Sequence, residues 1–594
     1  MNLKKILALL LPAERKQLGM LLIMVIFMAL LDMLGIATIM PFLTVLSNPE
    51  LVRTNTFLND LYTISSHMGI RTHQQFLYAF GVFVIFVLIF SIIFKALTAF
   101  AQTRFALMRE YSISKRLIEG YLHQPYSWFL NRNSADLGKT VLSEVNTVIG
   151  NGLVPMLSLF ANGAVVISIL ALLLFIDFTL AISIGITFGL IYGSILKVSQ
   201  RYLTRIGGER IIANQGRFTT LSEALGSTRE VKLSGLESTY VNSFAEHAYI
   251  YAKHQTSAQI IAQLPRYVLE AVAFGGMMIL ILYLMGQSGD LAKVLPIISL
   301  YAFAGYRLMP AFQIAYDALT RMRFVGPSLE LLHKDIVNLK SQNPIVIGLK
   351  FQFRHAISLK NVSYCYPNSS NYALKNISLS IGAKSKVGIL GKTGSGKTTL
   401  VDVILGLLDP QEGGILIDGH PIKDENKLAW QRNIGYVPQQ IYLVDNSIEA
   451  NIAFGVDPHE IDQAAVELAA KIANVHEFVI NDLPNGYQTK VGERGVRLSG
   501  GQRQRIGIAR ALYHKPQVLV MDEATSALDG FTEKEVMNAI QDLDQNITVI
   551  LIAHRLSTLS KCDKVFLFDK GRLKKQGSYD EVVADHTGIY ESGS

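Results

Sequence analysis

Six apolar segments within the first 325 residues constrain this chain more than any other feature: 18–43, 76–100, 153–175, 178–196, 264–285 and 291–318. Each has about the 20 residues that a helix needs to cross the hydrocarbon core of a bilayer. In that medium a helix satisfies its backbone hydrogen bonds within one segment, so the pattern predicts a polytopic α-helical domain with six spans. The first and last segments exceed the need, which implies tilt or extension beyond the bilayer. Orientation follows from the basic residues. Arg104, Arg109, Lys115, Arg116, Arg132 and Lys139 lie between the second and third spans, and Arg201, Arg205, Arg210, Arg217, Arg229 and Lys232 between the fourth and fifth. Asp177 stands nearly alone between the third and fourth. The amino terminus, both long connections and everything after the sixth span are therefore expected in the cytoplasm. The same rule accounts for much of the net charge of +8 without a nucleic-acid partner. Residues 3–11 are too short an apolar run for a cleaved signal and read as an interfacial amphipathic segment.

After about residue 345 short strands and helices alternate in an ordinary polar background, so the chain reads as a membrane domain (1–325), a linker (326–350, with Pro327 and Pro344 as breakers) and a second domain (351–594). Gly391, Lys392, Thr393, Gly394, Ser395, Gly396, Lys397 and Thr398 fit G-x-x-x-x-G-K-[ST], after the apolar run 387–390 and before the helical pattern of 399–408. Strand, glycine loop and helix form the context in which backbone N–H groups converge on phosphate oxygens. Lys397 is positioned to reach the β/γ-phosphates and the Thr398 hydroxyl to ligate Mg²⁺. The run 518–521 reads as a buried parallel strand and ends in Asp522 and Glu523. Ligands sit at the carboxyl ends of such strands, so Asp522 is a candidate Mg²⁺ ligand and Glu523 a candidate general base. Cys365 and Cys562 both fall in this cytoplasmic half and are expected as free thiols.

In this order these residues resemble the ATP-binding cassette family. Leu498, Ser499, Gly500, Gly501 and Gln502 match its signature, Gln439 its Q-loop, Ser526 to Asp529 its D-loop and His554 its switch histidine. The resemblance implies an α/β P-loop cassette behind a type I exporter-like membrane domain. It implies ATP and Mg²⁺ as cofactors, with Thr398, Gln439 and Asp522 on the metal and Glu523, His554 and Gln439 in catalysis. Tyr366 falls where the family stacks an aromatic on adenine, and Thr399, Gln502 and Asp529 belong to the nucleotide-contacting set. The family's signature motif, here Ser499 to Gln502, meets the γ-phosphate held by the other cassette. The present chain has one, so a homodimer with two composite sites is implied. The stretches 121–129 and 225–232 resemble the short helices through which exporters couple the two domains, and 489–495 resembles the segment before the signature that contacts the membrane domain.

Substrate must be read from the membrane half. Lys95, Arg266 and Arg307 are cations inside predicted spans, where ionisable groups are costly and point to function. Two readings stand. The cations suit a phosphate or pyrophosphate headgroup, or they balance Asp32, Glu270 and Asp317, with Arg266 and Glu270 at i, i+4. The strings 264–270, 306–310 and 94–97 resemble bacterial flippases for lipid-linked oligosaccharides. That resemblance implies a membrane lipid-linked glycan as substrate and an inner-membrane location. Phe57, Leu61, Ile64 and Met68 form an apolar stripe in the first external loop that fits lipid contact or packing equally. The alternatives are an exporter of peptides, lipids or amphiphilic drugs, and an ATP-gated channel or regulatory protein. Glu523 and His554 argue against the last, because a gate needs only binding.

Overall fold

The computed structural model describes residues 3–47, 62, 63, 65, 67, 72–176, 178–288, 291–339, 352–367, 369–523, 530–542, 547–552 and 559–582. It divides into two compact units, Met1–Gln124 with Arg132–Ser341, and Pro125–Asn131 with Gln342–Ser594. The external-loop stripe, Pro344, the segment Ser526 to Asp529 and His554 lie outside the described residues.

The first unit is helical. Its long helices are Pro12–Ser47, His73–Leu122, Val154–Ile176, Phe178–Gly226, Glu237–Ser288 and Leu291–Phe324, and the predicted apolar segments fall on them. Among the described residues, three stretches (Pro12–Ile39, Gln74–Leu122 and Ser134–Leu174) are long and apolar enough to cross a membrane. The helices of 50, 49 and 52 residues are each about 75 Å long at 1.5 Å per residue, more than twice the hydrocarbon thickness. The first and last helices, of 36 and 34 residues, also exceed the bilayer, but the longest extensions belong to the second, fourth and fifth. His73–Leu122 opens with a capping box, in which Thr72 accepts from the Gln75 N–H and Gln75 accepts from the Thr72 N–H.

Two features depart from the periodicity of the sequence. The helix entering the third span contains π turns at Thr140–Glu144 and Ile149–Leu153, separated by one α turn. The first turns Glu144 inward, where Arg210 Nη2 donates to Glu144 Oε2 at 2.7 Å and to Ser328 Oγ at 2.6 Å, while Asn214 donates to Glu144 Oε1 at 2.9 Å. Arg210 and Glu144 are both fully buried, and the Arg210 guanidinium lies 5.8 Å from the Tyr251 ring centroid and 5.9 Å from that of Phe324. Second, Pro327 does not break structure. It opens the helix Gly326–Asn338, where its missing N–H costs nothing because the first-turn donors have no intrahelical partner. Leu329 and Leu332 bury the apolar face of this helix, and the Tyr121 hydroxyl donates to Asp335 at 2.9 Å. The helix Leu3–Leu9 packs on it with Ile6 and Leu9 buried and Lys5 paired to Glu330, so protein covers the face expected at an interface.

The second unit is α/β. An antiparallel sheet of order β2-β1-β4-β5 joins β1 (Ala356–Cys365), β2 (Tyr372–Gly382), β4 (Glu412–Ile417) and β5 (His420–Pro421). The larger sheet has the order β10-β9-β3-β8-β7-β6, with β3 (Lys386–Gly391), β6 (Ile434–Val437), β7 (Val518–Asp522), β8 (Thr548–Ile552), β9 (Lys564–Asp569) and β10 (Arg572–Gly577). All its pairings are parallel except β9 with β10. β7 and β8 are buried at every residue, as expected of strands covered on both faces. The short helix Tyr126–Phe129, headed by Pro125, belongs to this unit. Cys365 and Cys562 are both free, and burial pushes the Cys562 thiol up to about 12.

Candidate nucleotide site

Register places the site. Ile389 of β3 and Asp522 of β7 both pair with Ile552 of β8, so all three lie at one level across the sheet. The phosphate loop leaves β3 two residues later, and Asp522 is separated from it by one strand, about 10 Å for two strand spacings. Both therefore meet at the carboxyl edge, where parallel sheets bind ligands.

The loop runs from Gly391 into the helix Lys397–Ile404. Gly396 has φ +100°, and a Cβ there would come within 2.6 Å of the Ala373 carbonyl. A Cβ on Gly391 would sit 2.5 Å from the Phe568 carbonyl. Only glycine fits either position. Lys397 is buried and donates to the carbonyls of Gly391 at 2.8 Å and Lys392 at 3.1 Å, which holds it over the loop. Burial lowers its pKa, while the charges of Glu523 and Asp522 oppose the shift. Ser395 is also buried, and its hydroxyl has no hydrogen-bond partner among the described residues. An orphaned hydroxyl and a lysine facing two carboxylates fit a bound phosphate. Gly396→Ala is expected to cost about 1–3 kcal/mol of local strain. It should abolish nucleotide binding in a fluorescent-nucleotide titration; wild-type affinity would show that the loop tolerates the Cβ.

Glu523 follows Asp522 with φ +49°, a strained conformation for a carboxylate side chain. Bonds to three of the described residues hold it there. Its N–H donates to the Ile552 carbonyl at 3.0 Å, Gln504 Nε2 donates to its carbonyl at 3.3 Å, and Gln439 Nε2 donates to its Oε2 at 2.6 Å. Gln439, assigned from sequence to the metal, thus also touches the candidate base. The Tyr366 hydroxyl lies 3.0 Å from Thr399 Oγ1, joining the aromatic predicted for adenine to the first turn of the loop helix. The signature serine is a helix cap: Ser499 Oγ accepts from the Gln502 N–H, and Gln502 Oε1 accepts from the Ser499 N–H at 2.7 Å. This engages the Ser499 amide and leaves those of Gly500 and Gly501 at the start of the helix to meet an anion.

Sequence reasoning missed Gln504 and Asp402. Gln504 is buried on the signature helix Gly500–Tyr513 and ties it to Glu523. Asp402 is buried within the loop helix, and its carboxyl is pushed up to about 6 by burial and then by the Asp522 charge. The available signal was a carboxylate inside an apolar run. Among the described residues no three His, Cys, Asp or Glu side chains cluster as a metal site, so Mg²⁺ held by Thr398, Gln439 and Asp522 would complete its shell with phosphate oxygens and water.

The membrane cations have acidic neighbours. Lys95 lies 3.7 Å from Asp32, which accepts from Ser91 Oγ at 2.6 Å, and Arg266 donates to Glu270 at 2.8 Å. Asp317 pairs with Arg321 at 2.8 Å. Arg307 lies on the helix Leu291–Phe324, with its side chain outside the described groups.

Residues 374–526 match the family model described as ABC transporter, and residues 18–304 the ABC transporter transmembrane region. The chain is 31% identical over 486 residues to an ATP-dependent lipid A-core flippase of Saccharophagus degradans, covering 81% of this chain and 80% of that protein. A similar flippase from Cupriavidus metallidurans is 30% identical over 80% of each. A leukotoxin export ATP-binding protein of Aggregatibacter actinomycetemcomitans is 38% identical over 303 residues, 51% of this chain and 42% of that one. The structure of a bacterial Atm1-family ABC exporter with ATP bound shares the fold at a TM-score of 0.75 and 23% identity, over 96% of both chains. With a membrane-spanning helical unit and an ATP-hydrolysing cassette in one polypeptide, this chain belongs to the ATP-binding cassette transporter family, whose members couple ATP hydrolysis to transport.

Proposed function

We propose that the chain is a homodimeric half-transporter of a bacterial inner membrane that flips a polyprenyl-pyrophosphate-linked glycan from the inner to the outer leaflet. The observation that carries lipid flipping is the likeness to lipid A-core flippases over about four-fifths of both chains. The pyrophosphate rests on Lys95, Arg266 and Arg307, placed on three different helices. Residues 1–325 form the transport path, 326–350 the connection and 351–594 the cassette. ATP and Mg²⁺ close two cassettes about Lys397, Asp522 and the partner's signature; Glu523 activates water, with Gln439 and His554 orienting it and Asp529 completing the site. Residues 121–129 and 225–232 carry the motion to the spans.

The test is ATP-driven translocation of a labelled lipid-linked oligosaccharide in proteoliposomes, with Glu523→Gln as control. Translocation lost in the control supports the reading; robust ATP hydrolysis without translocation rejects the substrate. Charge reversal of Arg266 and Arg307 to Glu together is expected to abolish translocation and spare basal hydrolysis. Parallel loss of both activities would make the pair structural, consistent with the Arg266–Glu270 bond. Export of a polypeptide is the second reading, favoured by the leukotoxin exporter, whose match covers 51% of this chain.

A further inference from the structure

Arg201, Arg205 and Arg323, with Gln200 and Thr204, line a cavity of about 440 Å³ in the first unit, with no acidic residue in its lining among the described residues. Arg201, Thr204 and Arg205 stand at i, i+3 and i+4 on the helix Phe178–Gly226, hence on one face. Arg323 comes from the last turn of the helix Leu291–Phe324, which packs beside it. Both helices carry a predicted span and both run toward the cytoplasm. Arg201 lies five residues past the fourth span and Arg323 five past the sixth, about 7.5 Å along each axis. The polar layer on one side of a bilayer is roughly 5–8 Å deep, so Arg201 and Arg323 emerge at headgroup level, and Arg205 lies one turn farther out, about 6 Å beyond Arg201.

The surrounding surface agrees. Val198 is 82% exposed and shares the stripe 198, 201, 202, 205 with the arginines, so an exposed apolar side chain adjoins the basic ones. Tyr202 completes the stripe, and Arg205 lies 5.6 Å over its ring, which orients the guanidinium. Tyrosine is favoured at this depth. Among the described residues Arg205 has an acidic neighbour in Glu209 at 3.6 Å, which is shared with His254 at 3.0 Å. Asp317 is taken by Arg321. Arginine forks match phosphate oxygens, and basic cavities between spanning helices on the cytoplasmic side suit phospholipid headgroups.

We propose that this cavity binds the phosphate of an anionic phospholipid headgroup from the inner leaflet. It is separate from the cations within the spans: Arg307 lies 16 residues before Arg323, about 24 Å along the same helix. The proposal does not depend on which substrate is flipped.

The test uses the full-length protein in neutral detergent, titrated with cardiolipin, phosphatidylglycerol, phosphatidylcholine or inorganic phosphate and read by native mass spectrometry. Both anionic lipids are expected to bind at least about tenfold more tightly than phosphatidylcholine. Replacing all three arginines with glutamine should remove that preference and leave phosphatidylcholine binding unchanged. A lysine triple variant, which keeps charge but loses the fork, should fall between the two and serves as the readout if the glutamine variant fails to fold. Anionic-lipid binding unaffected by either variant overturns the proposal. Inorganic phosphate displacing the lipid at equal concentration also overturns it, in favour of a free-anion site.

Discussion

Replacing Glu523 with glutamine lowers steady-state ATP turnover by about 10²–10⁴-fold and leaves nucleotide affinity nearly unchanged. The backbone of Glu523 is fixed by the Ile552 carbonyl and by Gln504, and neither bond involves its side chain. A glutamine keeps the volume and, with its carbonyl oxygen toward Gln439 Nε2, the contact that Glu523 Oε2 now makes at 2.6 Å. What disappears is basicity. Phosphate release measured beside nucleotide binding separates the two. A variant retaining more than a tenth of wild-type turnover would remove Glu523 from the role of base. The Lys397 ammonium, which feels the negative charge of both Glu523 and Asp522, should bind phosphate no less well when one of them is neutralised.

The second large effect concerns stability. Glu144→Ala leaves Arg210 buried with a lone charge, and breaking such a pair costs about 3–5 kcal/mol. The loss is amplified because Glu144 accepts from Asn214 as well, through its other oxygen. A drop of several degrees in the melting temperature of the detergent-solubilised protein is expected. Glu144→Leu combined with Arg210→Met should recover most of it, since removing both charges removes the desolvation penalty too. An unchanged melting temperature in Glu144→Ala would show that the pair contributes nothing. Cassette residues are untouched by these changes, so nucleotide binding reports separately on whether the second unit remains folded.

The nucleotide site was legible because its chemistry is local in sequence. Gly391 to Thr398 form one loop, and Asp522 and Glu523 adjoin the end of one strand. Parallel pairing through β8 then brings the two together at the carboxyl edge, where the sequence placed Asp522 without showing which strand lies between. The contacts to Glu523 were less legible. Gln439 is 84 residues away and Gln504 is 19 away, and neither spacing follows a periodic rule. The same limit hid the Glu144–Arg210 pair, separated by 66 positions. Pro327 misled because proline stops a helix in its interior but starts one at its first turn, and composition does not distinguish the two. The membrane cations were legible as costly residues, yet the Lys95–Asp32 contact shows that one span can balance a charge on its neighbour.

The π turns at Thr140–Glu144 and Ile149–Leu153 each hold one residue more than an α turn, taken up by widening the turn. The winding after each turn therefore stays in phase with the winding before it. Deleting one residue from either turn would restore a regular α-helix and keep Met156, Leu157 and Val165 on the packed face. What such a deletion displaces is the widened turn itself, and at the first turn that is Glu144 with its bond to Arg210. The same deletion in an α-helical stretch would rotate the rest of the span by about 100°. A length change of one residue is thus a local event at these two turns and a global one elsewhere in the helix.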